Sequence, residues 1–297
     1  MLATAGLKAK VMVKSGEDDP NVINMIGGMV VGHNWNPTGD KLSFRFGVNL
    51  HPKKRGVRVG PSLQLTDLAS LGKSVFTPRV CLSILNGCYD PAGLCAPFLA
   101  KYKISLREIT MLGLRWDDSI PSDLQAKWRN LVEELVGLEG IEFSRAVRPE
   151  GATGLPWLIG AWDGADQAYQ GKVYARWETG EKVKVRLVAC NVRVVPTKGL
   201  TTPRSELNGL LVMMRLLSAI IDAMNEKPAR VICFGDGECT ISSCECRTAT
   251  LAPYFSNRVA EVLDTFIRFR EQGIEVDPLY WVPGDQNPAD QGTREDV

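Results

Sequence analysis

The order of predicted strands and helices in the second half of the chain limits the fold more than any other feature of the sequence. Segments rich in Val, Trp and Tyr favour strands, and apolar residues spaced three or four apart favour helices. The predicted elements are strands at 156–163, 171–177 and 183–192, a helix at 203–225, a strand at 230–235, a short helix near 238–247, a helix at 254–272, a strand at 275–282 and a helical turn at 288–294. Apart from the short helix, the order is β-β-β-α-β-α-β-α, which predicts an α/β domain with a mixed sheet.

Four carboxylates stand where these strands end or where these helices begin. Asp163 and Asp236 each end a strand, Glu206 lies in the first turn of the long helix, and Asp290 begins the last helical turn. Strand ends and helix starts gather at one edge of an α/β sheet, and four acids there would repel one another strongly. Mg2+ prefers oxygen ligands, and two such ions about 4 Å apart can promote phosphodiester hydrolysis. Taken singly each acid also fits a structural role, but together they predict a metal centre.

The first half has a different pattern of predicted strands and helices, and it is predicted to form a smaller, mostly helical α+β domain. Turn-forming residues at 36–40 separate two strand-like runs and predict a hairpin within 28–50. Helices are predicted to begin near Pro78, Ala96 and Ser122. An Arg-, Pro- and Gly-rich linker at 144–155 then separates a first region, 1–150, from a second, 151–297.

The densest basic cluster of the chain lies at 51–58 and includes Lys53, Lys54 and Arg55. Such a segment is either a solvated loop or a contact to nucleic-acid phosphates that carries no sequence specificity. The net charge of the whole chain is only +1, so an argument for nucleic-acid binding depends on local clusters rather than on the overall field.

Composition and cysteine usage are typical of an intracellular globular protein. The chain has no apolar run long enough to span a bilayer and no signal-peptide core at its start. Of its 8 cysteines, five lie in apolar stretches, and Cys239, Cys244 and Cys246 lie together in a polar segment. With only two histidines in the chain and without paired cysteine spacing, reduced thiols are favoured over a zinc site. We expect a cytoplasmic particle or the nucleus as the location.

Five short motifs occur in the second half in a fixed order. They lie at 163–169, 200–207, 234–237, 256–261 and 282–290. They resemble D-A-S-x-x-A-Y, L-T-I-P-R-L-E-L, W-T-D-S, A-N-R-V-A-E-I and V-P-G-K-E-N-P-A-D of the RNase H domain in BEL/Pao-type LTR retrotransposon Pol polyproteins. Residues 32–36, 85–94, 96–97 and 114–118 are similar to the segment that precedes that domain. The resemblance extends from about residue 25 to the end of the chain.

This resemblance implies a retroelement-derived ribonuclease H, a metal-dependent endoribonuclease that cuts the RNA strand of RNA–DNA hybrids. Residues 1–150 would be the thumb and connection region of a reverse transcriptase, and 151–297 an RNase H-like mixed sheet flanked by helices. The sequence has no Y-x-D-D polymerase motif, so an upstream polymerase domain of the Pol polyprotein is the implied partner.

The resemblance also assigns roles to individual residues. Two Mg2+ ions, for which Mn2+ can substitute, would be bound by the four carboxylates, and Glu206 would help to recognise the RNA 2′-OH. The candidate metal ligands are Asp163, Glu206, Asp236 and Asp290. The candidate contacts to the nucleic-acid backbone are Lys53, Lys54, Arg55, Arg193, Lys198 and Arg204.

Three departures from the family pattern leave other interpretations open. Ala165 and Gly237 replace serines, and Trp281 replaces a histidine, so hydroxyls and an imidazole are missing near the acids. These changes predict reduced activity. One alternative is a catalytically weak or inactive nucleic-acid-binding scaffold derived from a retrotransposon. The other is an aspartic peptidase, because the region is also called the Pao retrotransposon peptidase family, although Asp163 is not followed by the Ser-Gly or Thr-Gly that such an enzyme needs.

Overall fold

The computed structural model describes residues 29–30, 33–44, 46–48, 53–54, 57–58, 63–64, 76–138, 140–246 and 251–293. The chain forms two compact units. The first unit contains the described residues up to Pro91 and the segment Arg115–Ala146. The second contains Ala92–Leu114 and the described residues from Val147 onward.

The strands and helices are numbered in chain order. The strands before the first helix are β1 (Met29–Val30), β2 (His33–Asn36), β3 (Lys41–Ser43), β4 (Gly47–Val48), β5 (Lys53–Lys54), β6 (Val57–Arg58) and β7 (Leu63–Gln64). Then come α1 (Pro78–Gly87), α2 (Ala96–Met111), α3 (Ser122–Leu138) and β8 (Glu142–Ser144). The remainder is β9 (Thr153–Gly164), β10 (Ala168–Thr179), β11 (Lys182–Val194), α4 (Thr202–Ala223), β12 (Arg230–Gly235), α5 (Glu238–Glu245), α6 (Pro253–Glu271) and β13 (Glu275–Trp281), followed by short 3-10 turns at Gly284–Gln286 and Asp290–Gly292.

The first unit contains a small sheet in the order β1-β2-β3-β8. Its β2–β3 turn occurs where the sequence predicts it. The Asn36 side-chain oxygen accepts hydrogen bonds from the backbone N–H groups of Thr38 and Gly39, at 3.1 and 3.2 Å, and this arrangement favours a tight turn. An Arg145–Asp40 ion pair at 2.6 Å then joins the turn to the end of β8. Helices α1 and α3 also belong to this unit.

The second unit contains the predicted mixed sheet, in the order β11-β10-β9-β12-β13. Strands β9, β10 and β11 are antiparallel neighbours, whereas β12 runs parallel to β9 and β13 runs parallel to β12. Helices α4 and α6 pack on one face, where their apolar residues meet Leu158, Trp162 and Val231 in the main core. The prediction of an α/β mixed sheet flanked by helices is therefore confirmed.

The predicted boundary at residue 150 assigns helix α2 to the first region. In the structure, α2 packs with the second unit. Its residues Ala96, Ala100 and Ile104 cover Ala168 and Cys190 on the opposite face of the sheet from α4. The preceding segment is tied to β11 by a hydrogen bond from the Cys190 N–H to the Ala92 carbonyl, at 2.9 Å. Gly93 has φ +70°, and a Cβ there would overlap the Cys190 carbonyl, so only glycine allows this close approach.

Glycines also let α4 lie unusually close to the sheet. A Cβ at Gly171 on β10 would overlap the backbone of Met213, and one at Gly209 on α4 would overlap the Asp163 carbonyl. At Gly160 on β9 the obstacle is the Met213 side chain. Because the first two obstacles are backbone atoms, they cannot move aside without separating α4 from the sheet. The close contact brings the start of α4 against the end of β9.

We expect Gly171→Ala to lower the free energy of unfolding by about 1–3 kcal/mol, because the added methyl forces α4 away from β10. The measurement is urea unfolding followed by circular dichroism. The matched control is Gly137→Ala on α3, where a Cβ meets nothing within 4 Å and where better helix propensity should raise stability by up to about 1 kcal/mol. Equal stability of wild type and Gly171→Ala would show that the contact is looser than described.

Candidate metal centre

Asp163 ends the central strand β9 and is 4% exposed. The Thr293 hydroxyl donates a hydrogen bond to its Oδ2, which orients the carboxylate. The next residue, Gly164, lies so close to α4 that a Cβ would overlap the Glu206 backbone. The end of β9 and the start of α4 therefore present their acids side by side.

Glu206 is the fifth residue of α4, which begins at Thr202 and has Pro203 in its first turn. Proline suits that position because its fixed φ matches the helix and its missing N–H is not needed there. The neighbouring Ser205 hydroxyl donates to the Ala165 carbonyl at 2.7 Å and fixes the helix start to the turn after β9. Within the described part of the chain, the buried Glu206 Oε2 atom has no hydrogen-bond partner.

Asp236 follows the last residue of β12 and is held from two sides. The Asn287 side-chain amide donates to Asp236 Oδ1 at 3.0 Å and to the Trp162 carbonyl at 2.8 Å. The Trp281 indole N–H donates to the Asp236 backbone carbonyl at 3.1 Å. Asn287 is 3% exposed, so its two hydrogen bonds are largely shielded from water.

The carboxylates of Asp163, Glu206 and Asp236 offer oxygen atoms that all lie within 4.8 Å of one another. Asp290 begins the 3-10 turn Asp290–Gly292 and lies outside this group of three. Its charge nevertheless raises the pKa of both Asp163 and Glu206. The structure thus brings three of the four predicted ligands together and leaves Asp290 nearby.

Burial and mutual repulsion alter the protonation of these groups. Burial, followed by the charges of Asp236 and Asp290, raises the pKa of Asp163 from 3.8 to about 6, although the hydrogen bond from Thr293 opposes the rise. Burial, with the charges of Asp163 and Asp236, raises the pKa of Glu206 from 4.5 to about 8. The site is therefore short of positive charge at neutral pH.

A hard divalent cation fits this donor set. All three groups offer carboxylate oxygens, the ligands that Mg2+ and Mn2+ prefer. The unpartnered Glu206 Oε2 provides a buried lone pair that the protein itself does not satisfy, and such an atom usually has a ligand, water or ion beside it. Asp163, Glu206 and Asp236 are the residues that would bind it.

Two of the three departures from the family motifs affect the site directly. A Cβ at Gly237 would stand 2.8 Å from Glu206 Oε2, so glycine leaves room for the Glu206 carboxylate where a serine would press on it. Trp281 contributes the hydrogen bond to Asp236 through an indole that is otherwise half exposed. At Ala165 the backbone N–H donates to the Ala168 carbonyl at 2.9 Å and closes the turn after β9.

Asn287 and Thr293 are site residues that the sequence reasoning missed. Asn287 lies within the motif at 282–290, but its role depends on a contact with Trp162, 125 positions away. Thr293 follows the last motif and carries no signal of its own. The buried Lys172 adds a third tie, because its Nζ donates to the Pro288 carbonyl at 2.6 Å and holds the segment that bears Asp290.

The structure describes the side chains of three of the six predicted nucleic-acid contacts. Arg193, Lys198 and Arg204 are exposed near the end of β11 and the start of α4, and the Arg204 guanidinium lies 4.7 Å from the Tyr254 ring centre. The side chains of Lys53 and Lys54, and all of Arg55, lie outside the described residues.

The cysteine segment does not form a metal site in the described part of the chain. There, the one group of three or more potential ligands close enough to hold an ion is the acidic group described above. Cys239 and Cys246 are exposed, and burial raises the pKa of Cys244 to about 12. No described helix is both long and apolar enough to cross a membrane.

Comparison with solved structures returns ribonucleases H at low identity. The N-terminal RNase H domain of Rv2228c from Mycobacterium tuberculosis, solved as a fusion with maltose-binding protein, is 14% identical, with 44% of this chain and 86% of that chain covered and a TM-score of 0.34. RNase H1 from the archaeon Halobacterium salinarum is 12% identical, with 44% and 86% covered and a TM-score of 0.29. LC11-RNase H1 in complex with an RNA/DNA hybrid is 9% identical, with 46% and 92% covered and a TM-score of 0.33. Because these TM-scores are below 0.5, no conclusion about this chain depends on them.

Sequence comparison gives a clearer answer. No curated protein sequence is significantly similar to this chain. Residues 77–237, more than half of the 297 residues, match the model of a family described as the Pao retrotransposon-like RNaseH-like domain. The matched range includes α4 and the carboxylates of Asp163, Glu206 and Asp236. The chain belongs to the Pao retrotransposon-like RNaseH-like domain family.

Proposed function

We propose that this chain is a metal-dependent ribonuclease H that hydrolyses the RNA strand of RNA–DNA hybrids, as the C-terminal part of a reverse transcriptase polyprotein. The observation that supports this most is the partly buried group of Asp163, Glu206 and Asp236, whose oxygens lie within 4.8 Å, in a chain of the RNaseH-like family. The donor set favours Mg2+ as the natural ion, with Mn2+ as a substitute.

The residues of the site have distinct proposed roles. Asp163 and Asp236 would bind the ions, Glu206 would bind one ion and contact the RNA 2′-OH, and Asp290 would complete the second ion's ligands. Bound divalent ions would supply activation of a water and stabilisation of the leaving oxygen. Asn287 holds the Asp236 carboxylate in place, since it donates at 3.0 Å to one of its oxygens. Thr293 does the same for Asp163.

Substrate binding is proposed to use basic residues around this end of the second unit. Arg193, Lys198 and Arg204 are exposed there, and each would contact strand phosphates without reading the sequence. Lys53, Lys54 and Arg55 are proposed to make similar contacts. An upstream polymerase domain is the proposed covalent partner.

Asp163→Asn is expected to abolish cleavage of a labelled RNA–DNA hybrid in Mg2+ while leaving the fold intact. The substitution keeps the size of the side chain but removes the charge that binds the ion. We expect a loss of about 1,000-fold or more, which is about 4 kcal/mol in activation free energy. EDTA should stop the wild-type reaction in the same way.

The matched control is Asp264→Asn, which changes an exposed acid on α6 and should leave the cleavage rate unchanged. If the wild type in Mg2+ and Mn2+ is as inert as Asp236→Asn, the enzyme proposal is wrong and the scaffold interpretation takes its place. Peptide cleavage that resists EDTA and responds to an aspartic-protease inhibitor would instead favour the peptidase.

Without metal, the free energy of unfolding is expected to fall as the pH rises from about 4.5 to 8. The pKa values of Asp163 and Glu206 are raised to about 6 and about 8 in the folded protein, so the folded state holds more protons than the unfolded chain over this range. Stability is fully present below the unfolded pKa values and is lost as the pH passes through the folded ones.

Melting temperatures measured in EDTA across this pH range test the expectation. Glu206→Gln removes one titrating group and should flatten the profile above pH 6. Added Mg2+ should stabilise the wild type most at high pH, where ion and proton no longer compete. Identical dependence of the melting temperature on pH in wild type and Glu206→Gln would contradict the raised pKa of Glu206.

Asn287→Ala is expected to weaken Mn2+ binding by about 10–100-fold, because partners that orient metal ligands typically have effects of this size. It should also cost about 1–3 kcal/mol of stability, since the Trp162 carbonyl loses its buried donor. Calorimetric titration with Mn2+ and urea unfolding measure the two effects. Gln286→Ala, an exposed neighbour, is the control. Unchanged Mn2+ affinity in Asn287→Ala would show that Asn287 supports only the fold.

A further inference from the structure

A second concave site lies in the same unit, on another side of α4 from the carboxylates. It is a pocket of about 510 Å³ lined by α4, α6 and the ends of β10 and β11. Its α4 residues, Asn208, Leu211, Val212 and Arg215, recur three and four positions apart and so share one helix face. Glu206 precedes Asn208 by two positions, which is about 200° around the helix, and does not line the pocket.

The α6 wall of the pocket is built around an aromatic ring. The Arg258 guanidinium stacks 3.7 Å from the Tyr254 ring centre, and Arg204 lies 4.7 Å from the same ring. The Asn208 side-chain oxygen accepts hydrogen bonds from the Tyr254 hydroxyl at 3.1 Å and from Arg258 Nε at 3.2 Å. The wall is thus preorganised by contacts among its own residues.

The pocket carries an excess of positive charge. Its charged lining consists of Arg193, Arg215, Arg258 and Glu261, a net charge of +2. Glu261 accepts two hydrogen bonds from Arg215, at 2.7 and 2.9 Å. The hydrogen bonds of Arg258 go to neutral oxygens, including the Tyr254 carbonyl at 3.0 Å, and its charge helps to lower the pKa of Glu261. Glu261 is the one carboxylate among the lining residues, and Arg215 already binds both of its oxygens, so the charges of Arg193 and Arg258 are in excess.

We propose that this pocket binds a nucleoside monophosphate, with the phosphate at Arg193 and Arg258 and the base against Tyr169 and Leu200. A phosphate monoester carries about −1.5 to −2 charge at neutral pH, which matches the net +2 of the lining. Arginine is the preferred partner of phosphate because its donors bind two oxygens at once. The volume falls in the usual range of ligand pockets, about 300–1,000 Å³. The site uses none of the carboxylates of the candidate metal centre and shares only Arg193 with the contacts proposed for the hybrid.

Calorimetric titration of the full chain with AMP, adenosine and inorganic phosphate in EDTA tests the proposal. AMP should bind saturably, and adenosine should bind at least tenfold more weakly. Arg193→Ala and Arg258→Gln should each weaken AMP binding at least tenfold. Lys184→Ala, an exposed change on the same strand as Arg193, is the matched control and should bind AMP like the wild type. Circular dichroism checks each variant, and the exposed Arg193 decides the matter if Arg258→Gln does not fold.

Three outcomes would overturn the nucleotide site. These are no saturable AMP binding, AMP binding that Arg193→Ala leaves unchanged, and binding of a single-stranded oligonucleotide where AMP does not bind. Asp163→Asn should retain the wild-type affinity for AMP, because Asp163 does not line the pocket. Failure of the nuclease proposal and failure of the nucleotide site are therefore distinguishable.

Discussion

Repulsion among partly buried carboxylates is the constraint on which the arrangement of the second unit depends. Asp163, Glu206 and Asp236 converge within 4.8 Å, and burial with mutual charge raises the pKa of Asp163 and of Glu206. The protein holds this unfavourable group together with the apolar core between the sheet, α4 and α6. Strain of this kind at a site, offset by packing elsewhere, is typical of functional centres.

The segment after β13 acts as a clamp over the acidic group. It is tied to the sheet at three places: Lys172 binds the Pro288 carbonyl, Asn287 binds the Trp162 carbonyl and Asp236, and Thr293 binds Asp163. Each tie joins residues more than 50 positions apart. Only a few side chains of this segment bind the acids, but the position of the segment fixes the geometry of the Asp163 and Asp236 carboxylates.

Helix α4 links the two concave sites of the second unit. Near its N-terminus it presents Glu206 to the carboxylate group, and another of its faces lines the pocket with Asn208 and Arg215. Its position is set by glycines on the facing surfaces, at Gly164 and Gly171 on the sheet and at Gly209 on the helix itself. A shift of α4 would therefore disturb both sites together.

The sequence alone determined the order of elements in the second unit and the positions of its acids at strand ends and helix starts. Local periodicity and propensity carry that information, because each depends on residues a few positions apart. Predicted and observed bounds of α4, β12 and α6 agree within about two residues, whereas β9 begins at Thr153, inside the predicted linker. Asp163 and Asp236 were found in this way because each follows an apolar run.

Only the tertiary structure decided which distant groups meet. It placed α2 on β11 rather than in the first unit, because a glycine at position 93 permits contact with Cys190. It gathered three acids closely while leaving Asp290 beside them. It also gave Asn287 and Thr293 their roles, and it formed the pocket from residues of β10, β11, α4 and α6. These contacts depend on packing between elements, which no local pattern in the sequence encodes.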